Sequence, residues 1–436
     1  MMRPLVKSLL SASVAAACAV PVMAHATNGY FMPGYGAAAV GMGGVGVAFA
    51  QDSMSAAANP AGIVDVGSRV DLGFVLFNPV RSAAIGKNAG QNATFNGYAD
   101  SANRWYMMPA AGMTMAWDDR LSFGIAMVGN GGMNTTYKPN FFGLGKSYIN
   151  NETVGVDLMQ MLVPITAAYK VDEHNAIGAS LVLGAQRFSA RGLRSFGLFG
   201  ISSTASPSNP YEGLTDQGHD SAIGAGFRLG WRGKFMNDRV TLGATYASKV
   251  YMSRFSKYRG LFAEGGSFDV PANYAVGIAV KATPAMTVAF DVERILYSGV
   301  PSVHHRGPGA SLPASTDPST LLGLPNGMGF GWTDQTVYKL GVAYQYDPKW
   351  VLRAGYNYGA SPIPGDQVTF NTLAPATVER HYTVGFTYSP SKSNDITFAY
   401  LHAAGNTQSA CGLFLVNCAT IKMHQNDFEL AYSWKF

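Results

Sequence analysis

The sequence predicts an all-β protein, a transmembrane antiparallel β-barrel of about fourteen strands with an N-terminal hatch, or plug, inside its lumen. Three observations carry this. Charged residues are 13% of the 436, against about 25% in typical soluble domains, too few to cover a water-facing surface of this size. Beyond the N-terminus there is no apolar run of about 18 residues, so no transmembrane helix is supported. From Ser68 onward, segments of ten or more residues alternate apolar with small or polar side chains, the period-2 pattern of a strand between two environments.

Residues 1–26 read as a secretory signal. Arg3 and Lys7 form the positive region, 9–20 the apolar core, and Ala24-His25-Ala26 the cleavage site, with cleavage after Ala24 as the alternative. The formal charge is only +5 before Arg3 and Lys7 are removed, which gives no case for a nucleic-acid partner. Cys18 lies in this signal and lacks the Leu of a lipoprotein site.

Residues 27–66 read as the hatch. The stretch 27–63 is crowded with Gly and Ala, and Asp52 is its only charged side chain. Disordered tails are charged and poor in apolar residues, and glycine at this density disfavours a helix by about 1 kcal/mol per residue. Small side chains on irregular backbone suit a segment folded tightly inside something else.

Residues 67–436 supply the barrel, with strands expected at 68–79, 104–117, 121–135, 156–171, 176–190, 219–234, 239–254, 272–283, 286–300, 333–346, 350–360, 376–388, 395–404 and 425–436. In the last, Phe428, Leu430, Tyr432, Trp434 and Phe436 share one face while Glu429, Ala431, Ser433 and Lys435 share the other. Tight polar turns such as Asp118-Asp119-Arg120 and Asp347-Pro348-Lys349 alternate with long segments such as 191–218 and 301–332. Short periplasmic turns and long extracellular loops produce that alternation. Arg294 breaks the pattern, since strict alternation from Asp291 and Glu293 faces it to lipid; a bulge or a rim position would remove the conflict.

Candidate functional residues fall into four groups. Phe141, Phe142, Phe196, Phe199, Leu261 and Phe262 lie in long loops and read either as local packing or as an exposed apolar platform that captures a ligand. Lumen charges inferred from alternation (Arg228, Lys249, Lys281, Asp291, Glu293, Lys339, Arg353, Glu379, His381 and Glu429) read as a network of paired charges, or, at Lys339 or Arg353, as partners for a ligand carboxylate. Gly129, Asn130, Gly131 and Gly132 interrupt the third strand, where glycine marks a bulge or close backbone approach. Asn59-Pro60-Ala61 is a Pro-fixed turn whose amide is a candidate partner for the backbone groups freed there. Cys411 and Cys418, close in sequence and exported, are expected to form a disulfide.

A mature start in Asn28-Gly29-Tyr30-Phe31, a Gly-rich segment closing on Asn59-Pro60-Ala61, about fourteen strands and a terminal Phe436 together resemble the FadL family of outer-membrane transporters for long-chain fatty acids and hydrocarbons. The resemblance covers the whole mature chain. It implies a monomeric bacterial outer-membrane barrel with a hydrophobic small-molecule ligand and membrane lipid as partners, and with Tyr30 and Phe31 among the ligand contacts. It further implies ligand capture on apolar extracellular loops, a pocket above the hatch, and sideways exit through the third-strand kink. Fatty-acid and aromatic-hydrocarbon cargo stay open. No catalytic site, metal or cofactor is expected: a barrel hydrolase needs a Ser or Asp with a positioned His, whereas His174 is in a turn and His304 and His305 read as a solvated loop pair. The rival reading is a general diffusion porin, which has no use for an uncharged Gly-rich plug.

Overall fold

The computed structural model describes residues 28–86, 97–138, 140–142, 152–307, 317–413 and 416–436. The expected signal, residue 27 and the loop residues Gly143, Leu144, Phe414 and Leu415 lie outside them. Fourteen strands close into one antiparallel barrel. They are β1 (Arg69–Gly86), β2 (Tyr106–Ala116), β3 (Leu121–Asn134), β4 (Gly155–Lys170), β5 (Asn175–Arg191), β6 (Asp220–Phe235) and β7 (Val240–Ala247). β8 (Asn273–Thr283), β9 (Met286–Ile295), β10 (Gln335–Asp347), β11 (Trp350–Gly359), β12 (Arg380–Ser391), β13 (Asn394–Leu413) and β14 (Val416–Lys435) complete it. Each pairs with its sequence neighbours, and β1 pairs with β14 from Arg69↔Lys435 to Gly86↔Cys418. Closure leaves no open edge there, the condition for a sheet in lipid. Two short strands, Gly97–Asp100 and Tyr251–Met252, add to β1 and β6.

Alternation sorts side chains as expected. Leu72, Phe74, Ile223, Phe227, Leu229, Tyr246 and Leu352 are exposed on the outer face, and Trp117, Trp434 and Phe436 are exposed near strand ends, as an apolar band with aromatic edges requires. No described helix is long and apolar enough to cross a membrane.

Several boundaries differ from expectation. β13 and β14 run on into one long hairpin, because alternation continues through Thr407 and Ser409. The expected strand 239–254 stops at Ala247, where the Ser248 hydroxyl accepts the Phe227 N–H in place of a strand carbonyl. Likewise 286–300 stops at Ile295 and is followed by a short helical turn at Tyr297–Gly299. Arg294, next to last in β9, lies at the rim, where its guanidinium donates to the Thr336 hydroxyl and pairs with Asp334 at 3.5 Å.

Residues 28–66 form no strand of the barrel. They hold short helices at Ala37–Val40 and Ser55–Ala58 and a 3-10 helix at Pro60–Asp65, and most of their side chains are buried. Inward-facing glycines of the wall make room: a Cβ on Gly230 would lie 2.0 Å from the Asn59 Oδ1, and one on Gly178 would lie 2.5 Å from the Ala61 nitrogen.

Candidate functional site

The barrel wall is incomplete between β2 and β3. The two strands pair only from Ala111↔Met127 to Ala116↔Ser122. Above that, Tyr106 and its followers stay paired with β1 through Phe77↔Tyr106, while Val128 to Asn134 stay paired with β4 alone. Seven residues without a neighbour on one side span roughly 20 Å at the rise of a strand. The cause lies in the glycines. The β3–β4 register shifts between Gly129 and Gly131, leaving Asn130 as the extra residue, and a bulge bends its strand away from the ladder.

Free strand edges within a membrane need partners, and this one is served from inside. The Met32 N–H donates to the Asn130 carbonyl at 3.0 Å, and Phe31 forms an isolated bridge with Gly131. The fully buried Asn130 side chain accepts from the Tyr35 hydroxyl at 2.8 Å and donates to Gln160 Oε1 at 3.1 Å. Higher up, Arg81 on β1 donates to the carbonyls of Asn134 and Asn103, and the Tyr106 hydroxyl donates to Asn134. Met108 of β2 reaches across towards Gly129, its Sδ 3.3 Å from where a Cβ would stand.

Asn59-Pro60-Ala61 is not the partner of this interruption. The Asn59 amide donates to the Val47 carbonyl at 2.7 Å and the Trp231 carbonyl of β6 at 3.0 Å, and its Oδ1 accepts from the Ala61 N–H. The triplet therefore fixes the N-terminal segment against β5 and β6. The backbone of Phe31 and Met32, with Tyr35, does what was expected of it; their nearness to the third strand had no sequence signal beyond an aromatic pair beside glycines.

Lys339 and Arg353 are likewise engaged. Lys339 pairs with Glu293 across β9 and β10 at 2.8 Å, and Arg353 donates to Gln51 Oε1 at 2.8 Å and to the Thr387 hydroxyl at 2.7 Å. Other inward polar groups grip the same segment. The Asp291 carboxylate accepts from the Gly46 and Val47 N–H groups at 2.8 and 3.0 Å. The Arg228 guanidinium donates to the Ala58 carbonyl at 2.9 Å, the Asn357 amide to the Gly43 carbonyl at 3.2 Å, and the Ser53 N–H to the Asp71 carboxylate at 2.8 Å. Lys339, Glu293, Arg353, Arg228 and Asp291 thus pair with each other, with polar side chains or with backbone, without a ligand, whereas Glu429 makes no ion pair among the described residues and keeps one buried oxygen without a partner. Lys281 is exposed at the end of β8, and Lys249 pairs with Asp269 outside the strands.

The loop aromatics do not form an exposed platform. Phe141, Phe142, Phe196, Leu261 and Phe262 are at most 5% exposed, and of the six only Phe199 is open, at 44%. The loops converge instead and pack on one another: Phe142 on Phe196 at 5.2 Å between ring centres, Phe196 on Phe370 at 6.0 Å, and Phe262 on Phe268 at 4.8 Å. This core reaches down to Tyr30, whose ring meets Phe268, Tyr297 and Trp332 within 6.0 Å. The Tyr297 hydroxyl donates to the Asn28 carbonyl at 2.6 Å. Burial against several loops at once rewarded the clusters more than exposure did, at about 25 cal/mol per Å² of apolar surface. Phe31 and Tyr35 line a cavity together with Leu162, Val182, Val250 and Val270, with Arg228 and Asn273 also at its wall. Cys411 and Cys418 are register partners near the tip of the β13–β14 hairpin and are joined by a disulfide. Among the described residues, no group of His, Cys, Asp or Glu is arranged to hold a metal ion.

The family model described as outer membrane protein transport protein (OMPP1/FadL/TodX) matches residues 9–412. The chain belongs to this family. It is an outer-membrane transport protein, built as a single-chain barrel, and the family's role is transport, not catalysis. Among solved structures, the toluene transporter TodX of Pseudomonas putida shares the fold at a TM-score of 0.69 and 20% identity, covering 94% of this chain and 100% of that one. A FadL homologue of Pseudomonas aeruginosa matches at 0.66 and 16%, over 94% and 100%, and the toluene transporter TbuX of Ralstonia pickettii at 0.60 and 20%, over 93% and 99%. No curated protein matches the chain.

Proposed function

We propose that this protein takes up small hydrophobic molecules, aromatic or aliphatic hydrocarbons above fatty acids, and releases them sideways into the membrane through the gap between β2 and β3. The observation that carries the reading is the loss of β2–β3 pairing beyond Met127, beside the buried N-terminal segment that bonds to the free edge of β3. A greasy solute crossing a straight aqueous pore would lose apolar contact at about 25 cal/mol per Å² exposed, and a side exit avoids that cost. In this reading residues 27–66 are the hatch and 67–436 the barrel, and the 1–26 signal is removed on export. Phe31, Met32 and Tyr35 keep the gap shut until the segment shifts. The converged loop aromatics open to admit the ligand, which passes Tyr30 and enters the cavity that Phe31 and Tyr35 line. Engagement of Lys339 and Arg353 with Glu293, Gln51 and Thr387 leaves no preferred partner for a fatty-acid carboxylate, and this disfavours anionic cargo. TodX and TbuX, both titled toluene transporters, support that choice of cargo. The barrel works as a monomer, with its apolar outer belt against lipid.

The test is a reversible lock. Met108→Cys with Gly129→Cys places two thiols on opposite sides of the gap. Oxidation should stop uptake of radiolabelled toluene by cells carrying the assembled double variant, and reduction should restore it. Uptake that continues in the oxidised, cross-linked protein would place the exit elsewhere, and high ion conductance in a planar bilayer would favour the porin reading.

A further inference from the structure

Beside the gap, the lumen wall carries a polar column that passage of a plain hydrocarbon leaves unused. Alternate residues of β14 face inward, and three successive inward positions are Gln425, Asp427 and Glu429, exposed by 0%, 1% and 3%. The register fixes their flanks. Gln425 lies between Pro79 of β1 and Ala403 of β13, Asp427 between Phe77 and Leu401, and Glu429 between Val75 and Ala399. Both flanking columns are therefore apolar. His381 of β12 faces the same row as Gln425, across the small Ala403.

Three successive inward positions of one strand here carry buried polar atoms without partners. None of the ion pairs among the described residues includes Asp427 or Glu429. One carboxylate oxygen of each acid and both amide atoms of Gln425 are buried without a hydrogen-bond partner. Asp291, whose Oδ1 is likewise unpaired, still holds backbone of the N-terminal segment through Oδ2, Asp71 holds the same segment, and Glu293 holds Lys339. Burying acceptors unpaired costs several kcal/mol, a cost a structural wall avoids by using Leu or Ala. Its register and same-face neighbours Phe77, Pro79 and Met423 line a narrow cavity together with Arg81, whose guanidinium is taken up by the Asn134 and Asn103 carbonyls, and the cavity extends to Gly132, Met133 and Asn134 at the free edge of β3.

We infer that Gln425, Asp427 and Glu429 form a recognition site for the hydrogen-bond-donating end of an amphiphilic ligand, a protonated amine above a hydroxyl, whose apolar body occupies the adjoining cavity. The two acids accept from the donor, the Gln425 carbonyl takes a further N–H or O–H, and the same pair repels a carboxylate. The inference rests on the transport reading and sharpens its cargo class.

Four probes with one ring and different ends decide it: toluene, benzyl alcohol, benzylamine and benzoate, titrated calorimetrically at neutral pH into the assembled protein in detergent. Wild type should bind benzylamine at least about tenfold more tightly than toluene, the increment of one charge-assisted hydrogen bond, with benzyl alcohol between them and benzoate not bound. Asp427→Asn with Glu429→Gln should abolish the benzylamine preference and leave toluene binding unchanged. Toluene bound by wild type with no preference for benzylamine overturns the site and leaves the transport reading intact. Failure to bind any of the apolar probes overturns both. The wild-type ranking needs no variant, so poor assembly of the double substitution does not spare the inference.

Discussion

Asp291 holds the N-terminal segment to the barrel wall, and its removal is the sharpest probe of what the lumen charges do. Its carboxylate accepts two backbone N–H groups, from Gly46 at 2.8 Å and Val47 at 3.0 Å, at a site 1% exposed. Hydrogen bonds to a charged group contribute about 1.5–3 kcal/mol each, so two at the low end give about 3 kcal/mol of local stability. At about 1.4 kcal/mol per tenfold, that is a change of roughly a hundredfold in the local opening equilibrium. Asp291→Ala should therefore raise amide exchange at Gly46 and Val47 by about that factor, since both donors lose their partner and a water replaces it only when the segment moves. The barrel should still assemble, because the β8–β9 and β9–β10 ladders around position 291 use backbone groups alone. Exchange would be followed by mass spectrometry on protein showing the folded, heat-modifiable gel mobility. Unchanged protection at Gly46 and Val47 in assembled Asp291→Ala protein would refute the reasoning and assign the docking to shape alone.

Three further outcomes are expected. Deleting Phe436, whose N–H donates to the Ser68 carbonyl at 3.1 Å, should leave unassembled, heat-sensitive protein, because the closing strand loses its interfacial aromatic; normal gel mobility would contradict this. Reducing the Cys411–Cys418 disulfide should loosen the hairpin tip alone, since so short a loop gives about 2–3 kcal/mol at most; a fall in the melting temperature of the whole barrel would contradict it. Burial, and then the charge of Asp71, push the Asp52 carboxyl up to about 7. Ionisation therefore opposes docking, so the penalty is present above that pH and is relieved as pH falls towards the ordinary carboxylate range. Exchange at Ser53 and Met54, corrected for its intrinsic pH dependence, should be slower at pH 5.5 than at pH 8, and Asp52→Asn should remove the difference.

Sequence alone determined the barrel, because lipid outside and a crowded lumen inside impose a local two-residue period that any single strand displays. Leu430, Tyr432 and Trp434 against Glu429, Ala431 and Ser433 is readable without knowing any neighbour. The glycines at 129, 131 and 132 marked an interruption for the same reason, since a missing side chain is a local fact. What met that interruption was not local. The Asn59 amide and the Phe31–Met32 backbone are both competent to satisfy a broken ladder, and only the path of the segment across the lumen gave that place to Phe31 and Met32 and sent Asn59 to Trp231. The loop aromatics were undecidable for a related reason. Whether Phe142 and Phe196 face water or one another depends on loops far apart in sequence converging over one barrel mouth, and burial of shared apolar area settled it. Alternation placed Glu429 in the lumen, but its lack of a partner, and that of Asp427 beside it, follow from the Val75, Phe77, Ala399 and Leu401 that closure of β14 onto β1 and β13 brings alongside.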